Sequence, residues 1–180
     1  MDEKKEINKF LYGEFYMLAQ NGALQRGVRI YKESDSNEKK EFRKALKEKV
    51  TGIAESYYSK KVSEKKHISN IEEISEDLSE KYQKILANGK FRIGRAQKVL
   101  NLYLKYLWCA GFILEPPHCP FDANVINDKK RGLGRNDAWT RIDDIREYKD
   151  LVEEAHKKAD GKKMSLAQWE LDLFNRPSSL

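Results

Sequence analysis

Residues Val99 to Trp108 read VLNLYLKYLW, and on a helix their apolar side chains point to nearly every side, with Asn101 and Lys105 as the chief interruptions. A helix that is apolar all round has to be covered by neighbours on several sides. The segment therefore predicts a central helix over about Gly94 to Ala110, with the rest of the chain packed around it. Gly111 closes it, and Pro116-Pro117 forbids its continuation, because proline lacks the N–H and clashes with the preceding turn.

The flanking sequence repeats with helical period. A first helix is expected over Glu3 to Gln20, with Ile7, Phe10, Leu11, Phe15 and Leu18 on its inward face and Asn21-Gly22 as its stop. A second, over Glu38 to about Lys60, gathers Phe42, Leu46, Val50, Ile53 and Tyr57 and is capped from the Ser34-Asp35-Ser36-Asn37 cluster. A third, Asn70 to Ala87, opens on the capping-box spacing of Ser69 and Glu72 and turns Ile71, Ile74, Leu78 and Ile85 inward. Two more are expected, about Asp143 to Ala159 and from a capping box at Ser165 through Phe174. Minor strands near Val28–Ile30 or Asn124–Ile126 are also compatible with the residues. The expected fold is all-α: a multi-helix bundle or irregular α-helical array around the buried helix at about 94–110. It forms one helical domain over 1–180, with 175–180 as a frayed tail.

A chain of 180 residues, 39% hydrophobic and 11% aromatic, can build such a core without staples. No run approaches the ~20 apolar residues of a membrane span, and Met1 to Lys5 is not an apolar leader, so no membrane partner and a cytoplasmic location are expected. The two cysteines, Cys109 and Cys119, are then expected to be reduced, with Cys109 inert inside the buried helix. His118 adjoins Cys119, with His67 and His156 elsewhere, but no CxxC or HxxxH spacing is present. The reading is a packed, proline-stiffened loop, with no metal and no cofactor. No glycine-rich loop ends in Lys-Ser or Lys-Thr, which argues against nucleotide hydrolysis of the P-loop kind.

The charge carries the functional argument. The net charge is +6, which favours a polyanionic partner if its cations share a surface. Two basic segments contain glycine. Lys90, Arg92, Arg95 and Lys98 surround Gly94 at the start of the buried helix, where cations oppose the helix dipole unless an anion lies between. Lys129, Lys130, Arg131 and Arg135 surround Gly132 and Gly134. Both segments are candidate phosphate contacts, Gly94 permitting close backbone approach; the alternative for each is a solvated surface. Tyr103, Tyr106 and Trp108 read as core, whereas Trp139, beside Arg135 and Asn136 in an expected loop, is a candidate for stacking on a base.

The stretch KFRIGRAQKVLNLYL, followed by a proline-containing loop and PFDANVI, resembles the hairpin region of helix-hairpin-helix DNA glycosylases over about forty residues. In that family an apolar-glycine turn opens a helix and binds a phosphate, and a loop leads to a catalytic aspartate before an apolar pair. The resemblance implies that Ile93-Gly94-Arg95 is the turn and Asp122 the catalytic aspartate. Arg92 stands where the first hairpin glycine falls, and Ala96 where bifunctional members carry a lysine nucleophile. Lys98 is a displaced candidate for that role, and the interval to Asp122 is longer than the family's. Three functions follow: a nucleic-acid-binding protein, for DNA in preference to RNA; a non-catalytic helical protein that binds or regulates another protein; and a base-excision enzyme using Asp122.

Overall fold

A computed structural model describes all residues except 1, 26, 28, 34 and 176–180. Among the described residues the fold is all-α, with seven α-helices and a single antiparallel bridge, Tyr31 to Leu86. The helices are α1 (Glu3–Leu24), α2 (Ser36–Ala54), α3 (Glu64–Tyr82), α4 (Ile93–Cys109), α5 (Ala123–Asn127), α6 (Ile145–Asp160) and α7 (Leu166–Asn175). The residues 124–126 lie in α5 rather than in a strand. Of the expected tail, Asn175 ends α7 and the remainder lies outside the described residues.

The central helix is α4. From Ile93 to Asn101 every residue is buried, and α1, α2, α3 and α6 all pack against it. The first helix runs through its expected stop. Gly22 lies where a Cβ would come within 2.9 Å of the Leu102 side chain, so this glycine lets α1 and α4 approach closely rather than ending α1. The inward face of α1 is Tyr16, Ala19, Gln20 and Ala23, while Ile7, Phe10, Met17 and Leu18 are exposed. Of the apolar face that periodicity assigns to the core, Ile7, Phe10 and Leu18 are therefore turned outward, while Phe15 packs against Tyr106 and Phe112.

The second helix begins as its sequence predicts but ends at Ala54, short of the expected Lys60, and a 3-10 turn over Glu55–Tyr57 follows it. Asp35 and Glu38 form a reciprocal capping box, and Phe42, Leu46 and Val50 are buried. The third begins earlier than the Ser69 box implies, because the Ser63 hydroxyl accepts from Lys66 N at 3.3 Å and His67 is drawn into the core. Near the chain's end the Ser165 cap forms as read, with Gln168 N donating to Ser165 Oγ at 3.1 Å. Cys109 sits at the exposed end of α4 rather than inside the core; Cys119 is buried.

Candidate functional site

The two interruptions of the apolar helix belong to a line of polar groups along one face of α4. Gln97, Asn101 and Lys105 recur every four residues, with Lys98 beside them, and all four are buried. Each has found a partner, as buried polar groups must. Gln97 grips the backbone of Phe121 at both ends: its Nε2 donates to the carbonyl at 2.7 Å, and its Oε1 accepts from the amide at 3.1 Å. Asn101 Nδ2 donates to Cys119 O at 2.9 Å and to Tyr148 Oη at 3.2 Å. On its other side, Asn101 Oδ1 faces His67 Nε2 at 2.7 Å, and His67 Nδ1 faces Tyr57 Oη at 2.8 Å. These amides clamp the loop 119–121 onto α4.

The clamp sets the position of the next residue. Asp122 caps α5, its Oδ1 accepting from Asn124 N at 2.9 Å and Val125 N at 3.2 Å. Its other oxygen, Oδ2, accepts from Lys98 Nζ at 2.6 Å. The Lys98 side chain is 7% exposed and that of Asp122 25%, so the pair opens towards solvent on the aspartate's side. Two turns further along α4, Lys105 Nζ donates to Glu170 Oε1 of α7 at 2.9 Å. Burial pushes the Glu170 carboxyl up, and Lys105 opposes that shift.

Comparison with protein-family models, curated proteins and solved structures finds no match.

The other sequence candidates do not gather into one cationic surface. Gly94 N donates to Ile142 O at 3.0 Å, and a Cβ on Gly94 would stand 1.8 Å from Trp139 O. The close approach that this glycine permits is thus to the chain's own 3-10 turn, Trp139–Arg141, which covers the start of α4. Arg92 is held to the same turn, its guanidinium donating to Arg141 O at 3.1 Å. Arg95 is 3% exposed; it donates to Ala23 O and lies over the Trp139 ring, 5.9 Å from its centroid. Burial, with Arg92 nearby, lowers its guanidinium to about 10. Trp139 is 8% exposed and so is a core residue, not a stacking platform.

In the second segment Lys129 and Lys130 are exposed, whereas Arg131 pairs with Asp128 at 3.0 Å and Arg135 with Asp137 and Glu154. Lys90 lies 3.7 Å from Asp143. The glycines here serve the loop itself, since a Cβ on Gly132 would stand 2.3 Å from Val125 O. His118 is fully buried beside His67, and no group of three metal-ligating side chains is assembled among the described residues.

Gly94, Arg95 and Trp139 thus meet in the packing at the start of α4, and Lys98 with Asp122 is the pair of sequence candidates that joins an amine to a carboxylate. A carboxylate in contact holds a lysine side chain in place, and a lysine amine can act as a nucleophile towards an electrophilic carbon. The residues that position this pair, Gln97 and Asn101, are absent from the sequence candidates. Their signal was the four-residue recurrence of polar side chains within an otherwise apolar helix.

Proposed function

We propose that the chain is a DNA-binding protein of the base-excision kind, in which Lys98 and Asp122 act at C1′ of a nucleotide. The observation that supports this reading is the 2.6 Å contact between the two side chains. It joins the aspartate that the hairpin resemblance implies to a lysine one turn into the helix that the hairpin opens. Asp122 takes a proton from the Lys98 ammonium, and the freed amine attacks C1′. The bond from C1′ to the base breaks, and the base leaves with the bonding electrons. At a sugar that has already lost its base, the same amine adds to the C1′ aldehyde and expels water to give an imine. Exposed Lys129 and Lys130, in the loop after α5, supply contacts to the phosphate backbone.

Borohydride reduction tests this directly, since it converts an imine between lysine and abasic DNA into a permanent link. The expected result is a covalent adduct with an abasic duplex, abolished in Lys98→Gln and reduced at least tenfold in Asp122→Asn. No adduct with wild-type protein, or an equal yield from Lys98→Gln, defeats the reading.

The outward face of α1 favours a second, non-catalytic reading as a protein-binding helical domain. Ile7, Phe10, Met17 and Leu18 are 45–65% exposed, and apolar patches of this kind mark interaction surfaces. Under this reading Lys98→Gln changes nothing but stability.

A further inference from the structure

An open pocket of about 710 Å³ lies between the first half of α1 and the second half of α2, well within the range of small-molecule sites. Tyr12, Tyr58 and Tyr103 line its interior, with Tyr103 reaching it from α4 and itself almost wholly buried. Tyr12 and Tyr58 meet edge to face, their ring centroids 5.7 Å apart, and Tyr58 also interacts with Tyr103. The rim is cationic: Lys4, Lys5, Lys9 and Lys47 stand against Asp2 and Glu55.

The two acids are not equivalent to free counter-charges. Asp2 is committed to capping α1 through Lys5 N, and Glu55 stands at the end of α2. No ion pair holds any of the four lysines among the described residues, in contrast to Lys49, Lys98 and Lys105. Gly13 forms part of the wall, and a Cβ there would meet nothing within 4 Å. A side chain at Gly13 therefore has open space to extend into.

We infer that this pocket binds a nucleotide, its base against Tyr12 and Tyr58 and its phosphate between the lysines. The combination selects for both halves of the ligand. Tyrosine faces accept any planar base, and the lysines hold a phosphate without reading its sequence. Burial and the neighbouring rings push the Tyr58 hydroxyl up, so this phenol stays neutral beside an anion. The pocket is separate from Lys98 and Asp122. Five residues along α4, or roughly 140° around it, divide Lys98 from Tyr103. The same chemistry is offered by a free mononucleotide and by one unit of a single strand.

Titration of the full chain with deoxyadenosine monophosphate, deoxyadenosine, inorganic phosphate and an eight-residue oligodeoxythymidylate tests the inference. The expected result is saturable binding of the monophosphate, the oligonucleotide or both. Deoxyadenosine and inorganic phosphate should each bind at least tenfold more weakly. Binding of the monophosphate assigns a free nucleotide, and binding of the oligonucleotide alone assigns a strand. Gly13→Leu, which has room to fold, should weaken binding at least tenfold by filling the space. The double variant Lys9→Ala, Lys47→Ala should weaken the phosphorylated probes and leave deoxyadenosine unaffected. Absence of binding by both nucleotide probes overturns the inference, as does unchanged affinity in Gly13→Leu or equal affinity for inorganic phosphate.

Discussion

Asn101 fixes the protons of the buried network. Its Nδ2 donates to the Cys119 carbonyl, which leaves Oδ1 to accept from His67, so the His67 proton is on Nε2 and Nδ1 accepts from Tyr57. Tyr148 accepts from Asn101 and so gives its own proton to His118 Nδ1, at 2.7 Å. Both histidines are neutral in this arrangement, and burial is the leading reason that both are hard to protonate. His67 is lowered to about 4, and His118 is lowered further by the proximity of His67 and His156. The unfolded chain protonates these rings near 6.5 and the folded one does not, so stability is full above pH 6.5 and falls as pH drops towards 4. The slope is about 1.4 kcal/mol per pH unit for each such histidine. Urea midpoints measured from pH 7 to pH 4 should fall accordingly, and His67→Gln should flatten the slope while lowering the plateau. A wild-type slope shared by His67→Gln would remove the ring from the account. Asn101 itself was visible in the sequence as a flaw in an apolar helix. Its partners were not, because His67 and Tyr148 lie 34 and 47 residues away and periodicity carries nothing about such separations.

At the scale of elements, helical period places helices well and their starts less well. The box spacing of Ser69 and Glu72 is a sound local signal, yet α3 has already made a turn and a half by then. What decides the matter is burial: His67, Ile71, Ile74 and Leu78 form one inward stripe, and His67 joins it in a helix that begins at Glu64 behind the Ser63 cap. Removing the hydroxyl in Ser63→Ala should therefore cost about 1 kcal/mol, as loss of an N-cap does. Ser69→Ala, an exposed site within the helix, should change stability by no more than about 0.5 kcal/mol. Denaturant unfolding of the two variants ranks them, and the reverse order would place the start of α3 at Ser69. The first helix shows the opposite failure. Its bounds were nearly legible, but both of its faces carry large apolar residues, and period alone cannot choose between Phe10 with Leu18 and Tyr16 with Ala19. The small residues Ala19, Gly22 and Ala23 make that choice, because they let α1 lie close along α4.

For the whole molecule, the +6 charge is a poor guide to how many phosphates it can neutralise. Counting the sequence candidates from Lys90 to Arg135 gives eight cations, which on duplex DNA would make the slope of log affinity against log salt about −7. Folding withdraws most of them. Arg95 and Lys98 are buried, and Lys90, Arg131 and Arg135 face carboxylates that a phosphate would have to displace. Arg92 is tied to the turn over α4. Lys129 and Lys130 remain, exposed and side by side in sequence, and two released counterions give a slope of about −2. If the chain binds duplex DNA as proposed, affinity between 50 and 200 mM salt should thus fall by about tenfold, against about ten-thousandfold if all eight cations engaged. Lys129→Ala with Lys130→Ala should remove most of that dependence, and binding curves across a salt series measure it. A slope near −7 would mean that the buried and paired cations become available on binding. DNA would then have to open the start of α4, which the chain's own turn covers.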